Sequence, residues 1–156
     1  MSSLGVCVIC PVYSKGDTMK TLASVDCLPV SVTTYLFEEY QEVRDHFRKT
    51  NDDWTLVLYN HEHLDSKFID AIQVMMDDPD MDAYRFCCLI HTQDVPFIQQ
   101  SIRMYRKGVY LAEKALEPEV AGKEVVLILD GWIFEHGTEK LVYSHNGFTE
   151  SLQQFS

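Results

Sequence analysis

The chain has 156 residues, 46% of them hydrophobic, enough for one globular domain with a core of its own. Its 13 Lys and Arg stand against 24 Asp and Glu, a formal charge of -11 that repels a nucleic-acid backbone and argues against direct nucleic-acid binding. No apolar run approaches the ~20 residues a membrane span needs, and no basic stretch precedes the first apolar segment, so the expected compartment is the cytoplasm, a host's cytoplasm for a viral protein.

"LGVCVICPVYS" is a short continuous apolar run closed by Pro11 and a polar turn, which predicts a strand buried on both faces. Asp17 can then cap a helix over "TMKTLASVD", ended by Pro29. "VSVTTYLF" is β-branched and aromatic, a second strand. "EEYQEVRDHFRKT" places Tyr40, Val43 and Phe47 at helical spacing, with acids early and bases late. "WTLVLY" supplies a third strand, and after the polar tip Asn60-His61-Glu62-His63 a helix from Asp65 carries Phe68, Ile69, Ile72, Met75 and Met76 as an apolar stripe.

"AYRFCCLI" predicts a fourth strand. "VPFIQQSIRMYRKGVYLAEKAL" predicts a helix, with Ile98, Ile102, Tyr105, Val109, Ala112 and Leu116 on one face and Arg103, Arg106 and Lys107 on a polar one. "EVVLILDGWIF" and "KLVYS" suit an antiparallel hairpin. This order of elements predicts an α/β fold: a mainly parallel three-layer α/β/α sheet with a C-terminal antiparallel hairpin, in a single domain over 1–148 with a flexible tail over 149–156.

The five cysteines, at 7, 10, 27, 87 and 88, are an odd number and sit mostly inside apolar runs, the usage of a protein with reduced thiols. Cys7 and Cys10 form a CxxC, but three positions apart on a strand they point to opposite faces, which suits buried thiols better than a redox or zinc pair.

In an open parallel sheet, ligands sit beyond the carboxyl ends of the strands. At those ends the sequence places Tyr13, Lys15 and Asp17, then Glu38 and Glu39, then Asn60 to His63, then His91 to Asp94. Polar strand ends also arise simply because chains turn in water.

The first 90 or so residues resemble the nucleotide-sugar-binding half of inverting glycosyltransferases of family 2, the GT-A type. Cys10-Pro11-Val12-Tyr13 matches that family's first turn, and Thr21-Leu22-Ala23-Ser24-Val25 matches its first helix. The resemblance implies a GT-A or Rossmann-like fold and a nucleotide-sugar ligand. It makes Tyr13, Lys15, Asp17, Glu38 and Glu39 the nucleotide-binding residues. It sets His61, Glu62 and His63 where the family's Asp-x-Asp motif holds Mn2+ or Mg2+, and makes Asp94 or Asp130 the catalytic base. The sequence departs from the motif: no register of this tip provides two carboxylates, the hard oxygen ligands those cations prefer.

Three functions are consistent with these residues. One is a small glycosyltransferase using a nucleotide-diphosphate donor. Another is a non-catalytic acidic interaction protein, of the kind a virus could encode, that keeps the GT-A-like fold without activity and meets a basic protein partner. The third is a transition-metal site from His61, His63 and one of His91, His136 or His145, against which stands the ordinary reading of exposed loop histidines.

Overall fold

A computed structural model describes residues 2–12, 16–91, 96–113, 115 and 117–136, with the backbone alone at 91, 96, 129 and 130. In chain order the elements are β1 (Ser3–Ile9), α1 (Thr18–Asp26), β2 (Ser31–Phe37), α2 (Tyr40–Lys49), β3 (Trp54–Tyr59), β4 (Glu62–Leu64), α3 (Ser66–Asp77), β5 (Ala83–His91), β6 (Pro96–Arg106) and β7 (Val125–Glu135).

The first five follow the sequence closely. Asp17 is the N-cap of α1, its Oδ1 accepting the Lys20 amide at 3.2 Å. α2 buries Val43 and Phe47, one turn apart, and α3 buries Phe68, Ile72, Met75 and Met76. β1 and β3 share their side chains between two cores. Leu4, Val6 and Val8 with Trp54, Leu56 and Leu58 pack against α1 and α3, whereas Cys7, Ile9 and Val57 pack against α2. Each large apolar side chain buried in this way contributes about 1.5–3 kcal/mol. Cys10 packs with the first core and Cys7 with the second, so the CxxC diverges as a strand requires.

The strand order is β2-β1-β3-β6-β5-β7-β4. Pairings β1–β2, β1–β3 and β5–β7 are parallel, and β3–β6, β5–β6 and β4–β7 are antiparallel. The expected mainly parallel three-layer sheet of GT-A or Rossmann-like form is therefore overturned: the sheet is mixed. It is also curled. β3 is third in the order and β4 is last, yet only Asn60 and His61 join them. That link reaches at most about 10 Å, while four strand spacings in a flat sheet come to about 19 Å. The far edge must bend back toward β3 for the chain to connect.

The largest local correction is β6, where a helix was expected. Ile98 and Ile102 are four apart, a separation that returns to one face of a helix but also, being even, to one face of a strand. Pairing with β5 over nine positions settles the choice. The register passes from Tyr84–Met104 to Arg85–Ile102, leaving Arg103 as the extra residue of a bulge. β7 has its own irregularity. Phe86 pairs with Ile128 and Cys87 with Trp132, so the backbone of Asp130 lies within the unpaired stretch beside Gly131. There the backbone of Phe68 approaches so closely that a Cβ on Gly131 would stand 3.1 Å from the Phe68 Cα. The "KLVYS" half of the expected hairpin lies outside the described residues; β7 itself pairs with β5 and β4.

Hydrogen bonds fasten the ends of the short elements. Trp54 Nε1 donates to the Met76 carbonyl at 3.2 Å and Tyr84 Oη to the Met75 carbonyl at 2.6 Å, capping carbonyls that the end of α3 leaves free. Thr21 Oγ1 donates to the Glu62 carbonyl at 2.5 Å and Ser24 Oγ accepts the Leu64 amide at 3.1 Å. These two hydroxyls of α1 satisfy the side of β4 that faces away from β7, which is the local reason for the Thr21 and Ser24 spacing. Among the described residues no helix is long and apolar enough to cross a membrane.

Candidate functional site

β1, β2 and β3 run parallel and end together: the Cys10 amide donates to the Phe37 carbonyl at 2.6 Å and the Asn60 amide to the Ile9 carbonyl at 3.0 Å. The chain moves from β1 to β2 on one side, then back across β1 to β3 on the other, with α1 and α2 on opposite faces. The carboxyl ends of β1 and β3 are thus a point where the connections diverge, the place at which open α/β sheets form a crevice.

Cys10, Asp17, Thr18, Asn60, His61, His63 and His136 gather around this rim. Cys10 Sγ lies 3.8 Å from Thr18 Oγ1, and the nearly buried Asn60 donates through Nδ2 to the same hydroxyl at 3.5 Å. Gly16 rests directly on Asn60, where a Cβ would stand 2.5 Å from the amide carbon. His136, one residue past β7, enters from the far edge of the curl. Its Nε2 lies 3.0 Å from the Asp17 carbonyl and 3.1 Å from the Asn60 carbonyl. Carbonyls only accept, so Nε2 carries the proton; in the neutral ring Nδ1 then accepts, and His63 Nδ1, at 3.0 Å, must donate. The two rings stack with centroids 5.2 Å apart.

Glu62 faces inward. Only 4% exposed, it meets Arg103, 7% exposed, in a two-pronged pair: Nη1 to Oε1 at 2.7 Å and Nη2 to Oε2 at 2.9 Å. The Tyr59 amide adds a third bond to Oε1 at 2.9 Å. Burial by itself pushes this carboxyl up, but the charge and hydrogen bonds of Arg103, helped by the Tyr59 amide, outweigh it and hold the group below the usual carboxylate range. The bulge on β6 aims Arg103 here, and Arg103 also donates to the Val57 carbonyl at 3.3 Å and lies 5.4 Å from the Tyr59 ring centroid.

The expected residues divide accordingly. Asp17 stands at the rim, but its carboxylate caps its own helix. Glu38 and Glu39 follow β2 on the same edge, exposed, with both amides held by Glu42 Oε1 at 3.3 Å. His61 stacks on Tyr59 at 5.5 Å while His63 turns to His136, so the HxH does not converge. Tyr13, Lys15, Asp94 and His145 lie outside the described residues, as do the side chains of His91 and Asp130. Among the described residues no three His, Cys, Asp or Glu side chains converge closely enough to hold a metal ion. The donors at the Asn60–His63 tip do not fit Mn2+ or Mg2+, because the one carboxylate there has both oxygens engaged by a guanidinium. Sequence reasoning missed Arg103, read as the polar face of a helix; it grouped His136 with His61 and His63 as a candidate metal ligand, and of those two it is His63 that His136 meets, ring to ring. Only the curl brings either to the rim.

No family model matches the chain, and no curated protein matches it.

Proposed function

We propose that this chain is a non-catalytic, acidic interaction protein, in which the position equivalent to a cation motif of sugar-nucleotide enzymes serves to hold the sheet in its curl. The observation that carries this reading is the buried, two-pronged Glu62–Arg103 pair. A carboxylate so engaged cannot also ligate a cation on a diphosphate, and leaving that charge unneutralised removes several kcal/mol from any transfer step. The charge of -11 supports a basic protein partner, drawn in by long-range attraction.

The experiment is calorimetric titration with UDP-sugars and GDP-sugars in the presence of Mn2+, with donor hydrolysis followed in parallel. The expected result is no saturable heat and no turnover. A second reading, a nucleotide-sugar ligand at the carboxyl ends of β1 and β3, is favoured by the divergence of connections there. Saturable heat with one donor, lost in Asn60→Ala, would establish that reading and overturn the first.

A further inference from the structure

At the opposite end of the sheet, a cavity of about 350 Å³ lies between the second half of α2 and residues 107–111, which follow β6. In a chain with nearly twice as many acids as bases, this cavity collects three cations: Arg44, Arg48 and Lys107. Basic residues in the last turn of a helix ordinarily answer its dipole, and that accounts for Arg48. It does not account for Arg44, in the middle of α2, or for Lys107, on another segment.

Arg44 is the informative one. It is 5% exposed, and its Nη1 and Nη2 donate to the carbonyls of Glu113 and Ala112 at 2.8 and 2.5 Å. Among the described residues no carboxylate pairs with it or with Lys107, and the Arg48–Glu113 contact, at 4.0 Å between side chains about two-thirds exposed, is loose. A buried guanidinium answered only by carbonyl dipoles is under-compensated, and an anion beside it would supply the missing charge. The walls are formed in advance. The Lys107 amide donates to the Asp53 carbonyl at 2.8 Å, Val109 to Arg106 at 3.2 Å, and Leu111 bridges to Val120. Phe47 and Leu111 make one side apolar, and Tyr110 stands 55% exposed at the mouth.

We propose that this cavity binds a small organic phosphate with a flat apolar body, of the class of nucleoside or aryl monophosphates. Two guanidinium groups and an ammonium suit a phosphate, the volume suits a small molecule rather than a peptide, and Phe47 with Tyr110 suits a planar ring. The site is distinct from the rim and does not rest on the function proposed there.

The test is titration of the full chain with adenosine monophosphate, phenyl phosphate and inorganic phosphate at low salt, followed by calorimetry and by thermal unfolding. The two aromatic phosphates are expected to bind and inorganic phosphate to bind more weakly. Arg48→Ala/Lys107→Ala, at exposed positions that leave the core intact, should weaken binding about tenfold or more. Tyr110→Ala should weaken only the aromatic ligands, and His61→Ala at the rim should change nothing. Absence of saturable binding by all three probes would overturn the proposal. So would binding that survives Arg48→Ala/Lys107→Ala, or that is lost in His61→Ala.

Discussion

Arg103 on β6 and Glu62 on β4 join at 2.7 and 2.9 Å although three strands' worth of pairing separates them in the sheet order. The pair lies beside the two-residue link between β3 and β4, and ties β4 to the strand that pairs with β3. In the proposed reading, a carboxylate just past the tip of β3 that meets a bulged arginine on the neighbouring strand serves the architecture of the sheet.

The acid side of the stability profile follows from this pair. The Glu62 carboxyl lies below its unfolded value, which is about 4.3. Its contribution is therefore complete above that value and is lost as pH falls through the folded one. Wild-type protein should show a falling denaturation midpoint below about pH 4.5, and Glu62→Gln, weaker at neutral pH, a flatter one. Parallel profiles for the two proteins would remove Glu62 as the source.

A second titration lies near neutrality. Burial lowers His46, with Asp52 opposing, and its buried Nε2, in a ring that contacts those of Tyr35 and Phe37, meets no hydrogen-bond partner among the described residues. A lowered histidine favours the folded state above its unfolded value of about 6.5 and loses that advantage as pH falls through the folded value. His46→Gln should therefore lessen the decline in stability between about pH 7.5 and 5.5. An unchanged slope across that window, measured by denaturant unfolding, would assign the decline to other groups.

Gly131 tests the packing of α3 on β7. A methyl group there meets the Phe68 backbone, which cannot swing aside as a flexible side chain would. Gly131→Ala should cost about 1–3 kcal/mol. Wild-type stability in that variant would mean that the contact is looser than described.

The thiols should separate by burial. Cys7 and Cys88 are pushed up to about 12 by burial and Cys87 is raised in the same way, whereas Cys27 is exposed and Cys10 half-buried. Since the thiolate is the reactive form, a thiol reagent at neutral pH should modify Cys27 first and Cys10 next, with the other three reacting only on unfolding. Mass mapping that found Cys7 or Cys88 labelled as fast as Cys27 would contradict the buried placement of those strands.

The sequence made β1 through β3, with α1 and α2, legible because periodicity, caps and turn residues agree there, as in the Asp17 cap and the Val43–Phe47 spacing. β6 was not legible, since Ile98 and Ile102 satisfy both periods and the deciding partner, β5, is chosen by tertiary pairing. β4 was hidden for a related reason: three residues after a two-residue turn carry no periodicity, and their strand character comes from β7, some seventy positions on. The candidate rim was half visible. Asp17, Asn60, His61 and His63 lie near the shared strand ends whereas Glu62 turns inward, and the groups that engage the tip, Arg103 and His136, are remote in sequence.

The claim on which the functional reading rests is that Glu62 is a structural partner of Arg103, and a double-mutant cycle measures it directly. Glu62→Gln and Arg103→Met should each destabilise by about 3–5 kcal/mol, each leaving a buried group unpaired, and the double variant by far less than their sum. Additive losses, or a Glu62→Gln protein of wild-type stability that has lost Mn2+-dependent donor binding, would contradict it.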